Sequence, residues 1–259
     1  MEKTFTIPQG EFELPMIVHE PDFGPANRCI IGVHGICGHK RSQVLESLSE
    51  EMGMFGAVTV CFDLPCHGES PMTERELSLD NCHAAILTAA RWAQEHYPDV
   101  PKCVFATGFG AFLTVHCLDA LQIILGDLRL VLQSPDFRMA QSLLNLKGLT
   151  EPALRKMGRV MVGRPADRKI ELTYSFYEEL RGAMTYAEYE MPMLLIHGEC
   201  DEAIPAEDVV RFRRINEEAK LVVIPGADHQ FRGAGQWDMV VDLTRDWFEF
   251  QQVLVTDWE

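Results

Sequence analysis

Short apolar runs alternate with longer amphipathic stretches along most of the chain. The runs are rich in β-branched and other apolar side chains, which is typical of buried strands. They predict eight strands, at residues 4–7, 12–19, 29–33, 57–62, 103–106, 130–132, 193–196 and 221–224. The stretches between them carry apolar residues at helical spacing, and they predict helices at 42–52, 78–97, 109–118, 206–218 and 235–254. Strands separated by helices predict an α/β fold with a mostly parallel sheet.

Two parts of the chain depart from this alternation. The first two strands have no helix between them, so we expect an antiparallel hairpin at the edge of the sheet. The segment 135–192 contains leucines at the spacing of short helices, followed by several tyrosines, and no run that resembles a core strand. A connection of this length is too long for a plain loop. We therefore predict a single domain over 1–259, with 135–192 inserted as a helical lid.

The charge balance limits the partners of the chain. Acidic residues outnumber basic ones by 39 to 23, which gives the 259 residues a net charge of −16. Such a charge repels nucleic acids and anionic membrane surfaces, so neither is expected to bind. The basic residues between 147 and 169 are interpreted as a solvated helical face rather than an anion site. No stretch has the roughly 18 unbroken apolar residues of a membrane span.

The cysteines and the amino terminus indicate a cytoplasmic protein. The eight cysteines are scattered and form no C-x-x-C pair, which favours reduced thiols over a disulfide framework or a zinc site. The first residues lack the basic-then-apolar layout of a signal peptide. We predict no metal site and no cofactor.

Polar residues follow four of the predicted strands, at the end of a parallel sheet where ligands bind. The loop "HGICGHK" (34–40) and the loop "DLPCHGES" (63–70) contain glycines that let backbone N–H groups face a ligand. Asp201 and His229 follow two successive strands. A carboxylate that holds an imidazole in one tautomer leaves the other ring nitrogen as a base. The sequence therefore predicts an Asp201–His229 dyad, with Asp136 as a rival for the acid.

Five motifs in order resemble those of the α/β-hydrolase superfamily, and within it the cinnamoyl and feruloyl esterases and the monoacylglycerol lipases. They are "VHGICGHK", "FDLPCHGES", "VFATGFGAF", "HGECDEAIP" and "GADHQF". The resemblance implies an α/β-hydrolase fold and a small ester or acyl ligand. It also implies that Asp201 is the orienting acid and His229 the general base, with the N–H groups of Ile36 and Phe109 forming the oxyanion hole. The lid would supply either pocket walls or its own core from four aromatic residues, Tyr174, Phe176, Tyr177 and Tyr186.

One motif departs from the family pattern. The nucleophile turn of the family reads G-x-S-x-G, and the chain has Ala106-Thr107-Gly108-Phe109-Gly110 there. Gly108 stands at the serine position, so ordinary acyl-enzyme activity is predicted to be weak or absent. A register with Thr107 as nucleophile is disfavoured, because it puts Phe109 where strand and helix pack closely.

Three hypotheses follow from that departure. In the first, His229 activates water for ester hydrolysis without a covalent step. In a variant of this hypothesis, the His229–Asp201 dyad abstracts a proton from the substrate, as in family members of lyase or oxygenase type. In the second, the chain is a pseudoenzyme that binds a small acyl or ester ligand. In the third, another nucleophile is used, either Cys37 or Ser134.

Overall fold

The structure, a computed structural model, describes residues 1–163, 168–183 and 186–250. Its ten strands are β1 (Glu2–Gln9), β2 (Phe12–His19), β3 (Arg28–Val33), β4 (Ala57–Phe62), β5 (Lys102–Thr107), β6 (Leu128–Gln133), β7 (Arg159–Val162), β8 (Ile170–Thr173), β9 (Met193–Gly198) and β10 (Ala219–Ile224). Eight of them form one sheet in the order β1-β2-β4-β3-β5-β6-β9-β10. β2 pairs antiparallel with β1 and β4, and the other neighbours are parallel. The predicted sheet and its edge hairpin are confirmed.

Nine helices lie in the described part of the chain. They are α1 (Gln43–Met54), α2 (Leu79–His96), α3 (Phe109–His116), α4 (Leu118–Leu125), α5 (Met139–Lys147), α6 (Glu151–Met157), α7 (Tyr174–Gly182), α8 (Ala206–Ile215) and α9 (Gln236–Phe250). The helix predicted at 109–118 is wrong in extent, because the chain bends at Cys117 and continues as α4. Residues 251–254, predicted as the end of the last helix, lie outside the described residues. No described helix is long and apolar enough to cross a membrane.

The central strands read as unbroken apolar runs because helices cover both faces of the sheet. All six residues of β4 are buried, for example. Val58, Val60 and Phe62 point to the face that also holds residues of α2, α3 and α8. Ala57 and Cys61 point to the opposite face, which α1 and α9 cover. This alternation of side chains places the core in two layers, one on each side of the sheet.

The segment 135–192 contains the short helices that the sequence predicts, namely α5, α6 and α7. It also contains a small antiparallel sheet of β7 and β8, so the prediction of a purely helical insertion is wrong in that respect. Each of these strands has only four residues, and they alternate between more and less buried side chains. Such short, half-exposed strands give no run that resembles a core strand. Residues 164–167 and 184–185 of this segment lie outside the described residues.

Candidate active site

A cavity of ≈ 1150 Å³ opens at the carboxyl ends of the parallel strands. Its walls come from several strand-end loops at once, which is the arrangement expected of a ligand site in an open α/β sheet. The loop after β3 contributes residues 34–39, and the turn after β5 contributes Gly108 and Phe109. Ser134 and Asp136 follow β6, and His229 follows β10. The folding of the sheet therefore brings most of the predicted site residues to one place.

Asp201 and His229 form a hydrogen-bonded pair at this edge. His229 Nδ1 lies 2.8 Å from Asp201 Oδ2, and the Asp201 side chain is fully buried behind the imidazole. The other carboxylate oxygen, Oδ1, accepts hydrogen bonds from the N–H groups of Ala203 and Ile204, each at 2.9 Å. Because a carboxylate only accepts, Nδ1 carries the proton and donates it. His229 Nε2 is then the basic nitrogen of the ring.

The surroundings of Asp201 keep its carboxyl ionised. Burial by itself would raise the pKa of Asp201, but the hydrogen bond from His229 and those from the backbone outweigh it, and the pKa is lowered from its ordinary value. His197 Nε2 also lies 3.8 Å from Asp201 Oδ2. An ionised acid fixes the tautomer of His229 and stabilises the imidazolium that forms when Nε2 takes a proton.

The turn after β5 has the backbone of a sharp strand-to-helix elbow. Gly108 has φ 49° and ψ −112°, a region that residues with a Cβ rarely adopt. Its N–H donates to Gln133 O at 3.0 Å, and its carbonyl accepts from Phe112 N at 3.1 Å. A Cβ placed on Gly108 would meet only Ser134 O, at 3.9 Å. The position therefore has space for a side chain, although the backbone disfavours one.

The close packing of α3 on β3 fixes which residue stands at the tip. A Cβ on Gly110 would lie 2.5 Å from His34 O and 2.6 Å from Val33 O, so this position accepts only glycine. Thr107 is the last residue of β5. A shift of one residue would put Phe109 against the backbone of β3, which that packing excludes. The tip of the elbow is Gly108.

Two backbone N–H groups border the elbow. Ile36 and Phe109 both line the cavity, and neither N–H donates a hydrogen bond to any of the residues that the structure describes. Phe109 is also the first residue of α3, where the helix dipole adds partial positive charge. Unpaired N–H groups beside a cavity are suited to bind a carbonyl oxygen that gains negative charge.

Buried polar contacts hold the loop that carries Ile36. His34 Nε2 accepts from Leu64 N at 3.1 Å, so Nδ1 carries the proton and donates to Gly35 O at 2.8 Å. Lys40 Nζ lies 2.7 Å from Asp63 Oδ2, and both side chains are buried. These contacts tie the loop after β3 to the loop after β4, and thereby restrict how the N–H groups can move.

The family model described as the alpha/beta hydrolase family matches residues 30–243. The chain belongs to this family. Its fold is the α/β-hydrolase fold, with an eight-stranded, mostly parallel sheet flanked by helices. No curated protein matches the sequence of this chain.

Solved structures agree with that assignment. The chain is similar to Est1E from Butyrivibrio proteoclasticus bound to ferulic acid, with a TM-score of 0.76 and 19% identity over 95% of this chain and 98% of that one. It is also similar to alpha/beta hydrolase domain-containing protein 10 from mouse, with a TM-score of 0.74 and 13% identity over 96% and 100% of the two chains. Dienelactone hydrolase from Anabaena variabilis is a third similar structure. Its TM-score is 0.62, and the identity is 17% over 96% of this chain and 97% of that one. These likenesses establish the fold.

The four aromatic residues predicted as pocket walls do not line the cavity. Phe176 and Tyr177 are buried, and the Phe176 ring packs edge-on against Phe109 at 6.2 Å. Tyr174 donates to Glu151, and Tyr186 donates to Asp208. Tyr174 and Tyr177 pack in a small cluster within the inserted segment, as the alternative expects, whereas Phe176 and Tyr186 pack against the main core.

Sequence reasoning missed the residues that form the outer walls of the cavity. They come from α5 and from the facing ends of α1 and α9, and include Met139, Leu143, Leu146, Gln43, Val44 and Trp237. The apolar residues of α5 have ordinary helical spacing, which indicates a buried face but not the partner of that face. The one feature of the sequence that pointed to this wall was the position of α5, which follows directly after the end of a strand.

Two buried histidines predict a loss of stability in acid. Burial lowers the pKa of His34 to about 4 and that of His67 to about 3. Below a pH of about 6.5 the unfolded chain binds protons at these residues and the folded chain does not. We expect each residue to reduce the free energy of unfolding by about 1.4 kcal/mol per pH unit as the pH falls from about 6 to about 4.

Urea unfolding at a series of pH values measures this slope. His67→Gln should reduce the slope by about 1.4 kcal/mol per pH unit, while the exposed His96→Gln should leave it unchanged. The variants are compared by this slope and not by the free energy of unfolding itself. A packing loss in His67→Gln lowers that free energy equally at every pH and therefore leaves the slope unchanged. A slope that is the same in both variants would contradict the prediction.

Proposed function

We propose that this α/β-hydrolase is of the carboxylic ester hydrolase type and binds a small ester or acyl compound. Gly108 takes the place of the serine nucleophile, so turnover through an acyl-enzyme is weak or absent. The observation that carries the proposal is the elbow itself: its backbone has the strained shape of a nucleophile turn, and the His229–Asp201 pair and two unpaired N–H groups border the same cavity.

The residual chemistry that fits this site is direct attack by water. His229 Nε2 takes a proton from a water molecule as the water oxygen bonds to the ester carbonyl carbon. The N–H groups of Ile36 and Phe109 stabilise the resulting oxyanion. The tetrahedral intermediate then breaks its bond to the alcohol oxygen, and His229 returns the proton to that oxygen. Gly108 leaves space for the water where a serine side chain would stand.

The other candidate nucleophiles fit this chemistry less well. Thr107 belongs to β5 and does not stand at the tip of the turn. Ser134 Oγ is buried, and no described residue, His229 included, makes a hydrogen bond to it. A serine hydroxyl needs a base within hydrogen-bond reach to attack. Cys37 is half-buried and lines the cavity, so it is the nucleophile to test against water.

Kinetics on short p-nitrophenyl esters and hydroxycinnamoyl esters test the proposal. We expect wild-type turnover to lie on the order of 10⁶ below that of a serine enzyme. His229→Gln should abolish it, and Cys37→Ser should leave it unchanged. If Cys37→Ser lost activity and His229→Gln kept it, Cys37 would be favoured over water as the nucleophile.

Binding separates the enzyme from the pseudoenzyme. We expect the hydroxycinnamoyl esters to raise the melting temperature of the wild type as well as to be hydrolysed. Stabilisation without hydrolysis would exclude water attack and leave a binding protein. An absence of both stabilisation and hydrolysis on the whole panel would overturn the proposed ligand class.

A further inference from the structure

Asp136 is a buried carboxyl group in the wall of the cavity, distinct from the Asp201–His229 pair. It lies just beyond the end of β6 and lines the cavity, with only 4% of its surface exposed. Its backbone N–H donates to the carbonyl of Gly108 at 3.4 Å. Asp136 is therefore fixed to the elbow at which the ligand would react, and the water-attack chemistry described above gives it no role.

Only one oxygen of this carboxyl has partners among the described residues. Oδ1 accepts from Arg138 N at 3.1 Å and from Ser142 Oγ at 3.0 Å. Oδ2 has no hydrogen-bond partner in the part of the chain that the structure describes. A carboxyl that served only to cap the turn after β6 would need Oδ1 alone. The second oxygen is left for whatever occupies the cavity.

No cation among the described residues forms an ion pair with Asp136. The guanidinium of Arg138 lies 3.4 Å from Asp208 Oδ1 on α8, so Arg138 binds the carboxyl of Asp136 only through its backbone. Burial raises the pKa of Asp136 to about 6, although the Ser142 hydroxyl, the Arg138 N–H and the charge of His229 lower it, and the charge of Asp208 raises it further. Near neutral pH the cavity thus contains a poorly solvated negative charge.

Ser134, two residues earlier, lines the same wall, with 2% of its surface exposed. Its Oγ is buried and has no partner among the described residues. Because protein encloses this hydroxyl, it offers no contact to a ligand, and the second oxygen of Asp136 is the polar atom that this part of the wall presents to the cavity.

We propose that Asp136 selects the charge of the ligand: the cavity accepts neutral esters and rejects the corresponding carboxylates. This inference rests on the proposed function and narrows its substrate class. A carboxylate bound near Gly108 would be repelled by the charge of Asp136, which is buried and therefore weakly screened by water. A neutral ester carries no such charge. The acid product of hydrolysis would leave for the same reason.

Calorimetric titration of a hydroxycinnamic acid and its methyl ester tests this selection. At pH 8 we expect Asp136→Asn to bind the acid at least about tenfold more tightly than the wild type does, with the affinity for the ester changed less than about threefold. At pH 5 the two proteins should differ little in their affinity for the acid, because Asp136 is then protonated.

Asp208→Asn is the matched control. It removes the same charge from a neighbouring buried aspartate that does not line the cavity. At pH 8 it should bind both ligands as the wild type does, because Asp136 is ionised in both proteins at that pH. Ser142→Ala provides a second test if Asp136→Asn does not fold. It removes a hydrogen bond that lowers the pKa of Asp136, so the loss of acid affinity with rising pH should shift to higher pH.

The outcomes separate this inference from the proposed function. Equal affinity of the wild type and Asp136→Asn for the acid at pH 8 overturns the selection alone, provided that the ester still binds. The same effect in Asp208→Asn also overturns it, because the effect would then reflect the overall charge. Binding of neither ligand to the wild type overturns the proposed function, and the selection with it.

Discussion

Gly108→Ser is expected to convert this protein into a faster esterase. Removing the nucleophile of a serine hydrolase costs on the order of 10⁶ in turnover, and we expect the substitution to recover at least about 10²-fold of that loss in kcat/KM. The structure has space for the hydroxyl, since the nearest atom to a Cβ at this position is 3.9 Å away. The variant should also be labelled covalently by a fluorophosphonate, which requires an activated serine.

Gly108→Ala is the control for that experiment. It adds the same Cβ at φ 49° without a hydroxyl, so both variants should lose about 1–3 kcal/mol of stability from backbone strain. Only the serine variant should gain activity and react with the fluorophosphonate. Equal rates for the two variants would mean that His229 or the N–H groups are not placed to activate a nucleophile, and would count against the proposed site.

In the Gly108→Ser background, Asp201→Asn is expected to reduce kcat by roughly 10⁴. Asp201 accepts the Nδ1 proton of His229 at 2.8 Å, whereas an asparagine amide can donate to Nδ1 instead. The ring would then carry its proton on Nε2 and could not act as a base. The effect should appear mainly in kcat, because Asp201 lies behind the imidazole and does not line the cavity.

Asp228→Asn in the same background is the matched comparison. Asp228 immediately precedes His229 but is partly exposed and pairs with Arg232 at 2.7 Å. Its removal should change kcat less than about threefold. If Asp136→Asn lowered kcat by about 10⁴ while Asp201→Asn did not, the acid would have been assigned to the wrong residue. Steady-state kinetics of the three double variants distinguish these cases.

The sheet and the site core were predictable because both depend on local sequence signals. A strand buried on both faces must be apolar along its whole length, as β4 is, and a parallel strand ends at the same edge as its neighbour. Asp201 and His229 therefore had to approach one another once their strands were identified. The register of the elbow was equally accessible, because close packing demands a small residue at Gly110.

The walls of the cavity were not predictable for a physical reason. A helical apolar face shows that a helix is buried, but it does not show what it is buried against. Several residues of α5 face the cavity, whereas Tyr177 packs into a separate cluster with Leu144 and Leu154. Both groups belong to the same inserted segment. Their sequence patterns do not differ. The two strands β7 and β8 escaped prediction because each has only four residues, and about half of these are exposed or half-buried.

The elbow keeps its bend through the contact of Gly110 with β3 and through the backbone hydrogen bonds of Gly108, and not through any side chain at its tip. A mutation at the tip therefore alters the chemistry that the turn can perform without remodelling the scaffold that holds it. Glycine and serine codons can differ by one base. The distance in evolution between a binding protein and an esterase on this scaffold can accordingly be a single nucleotide.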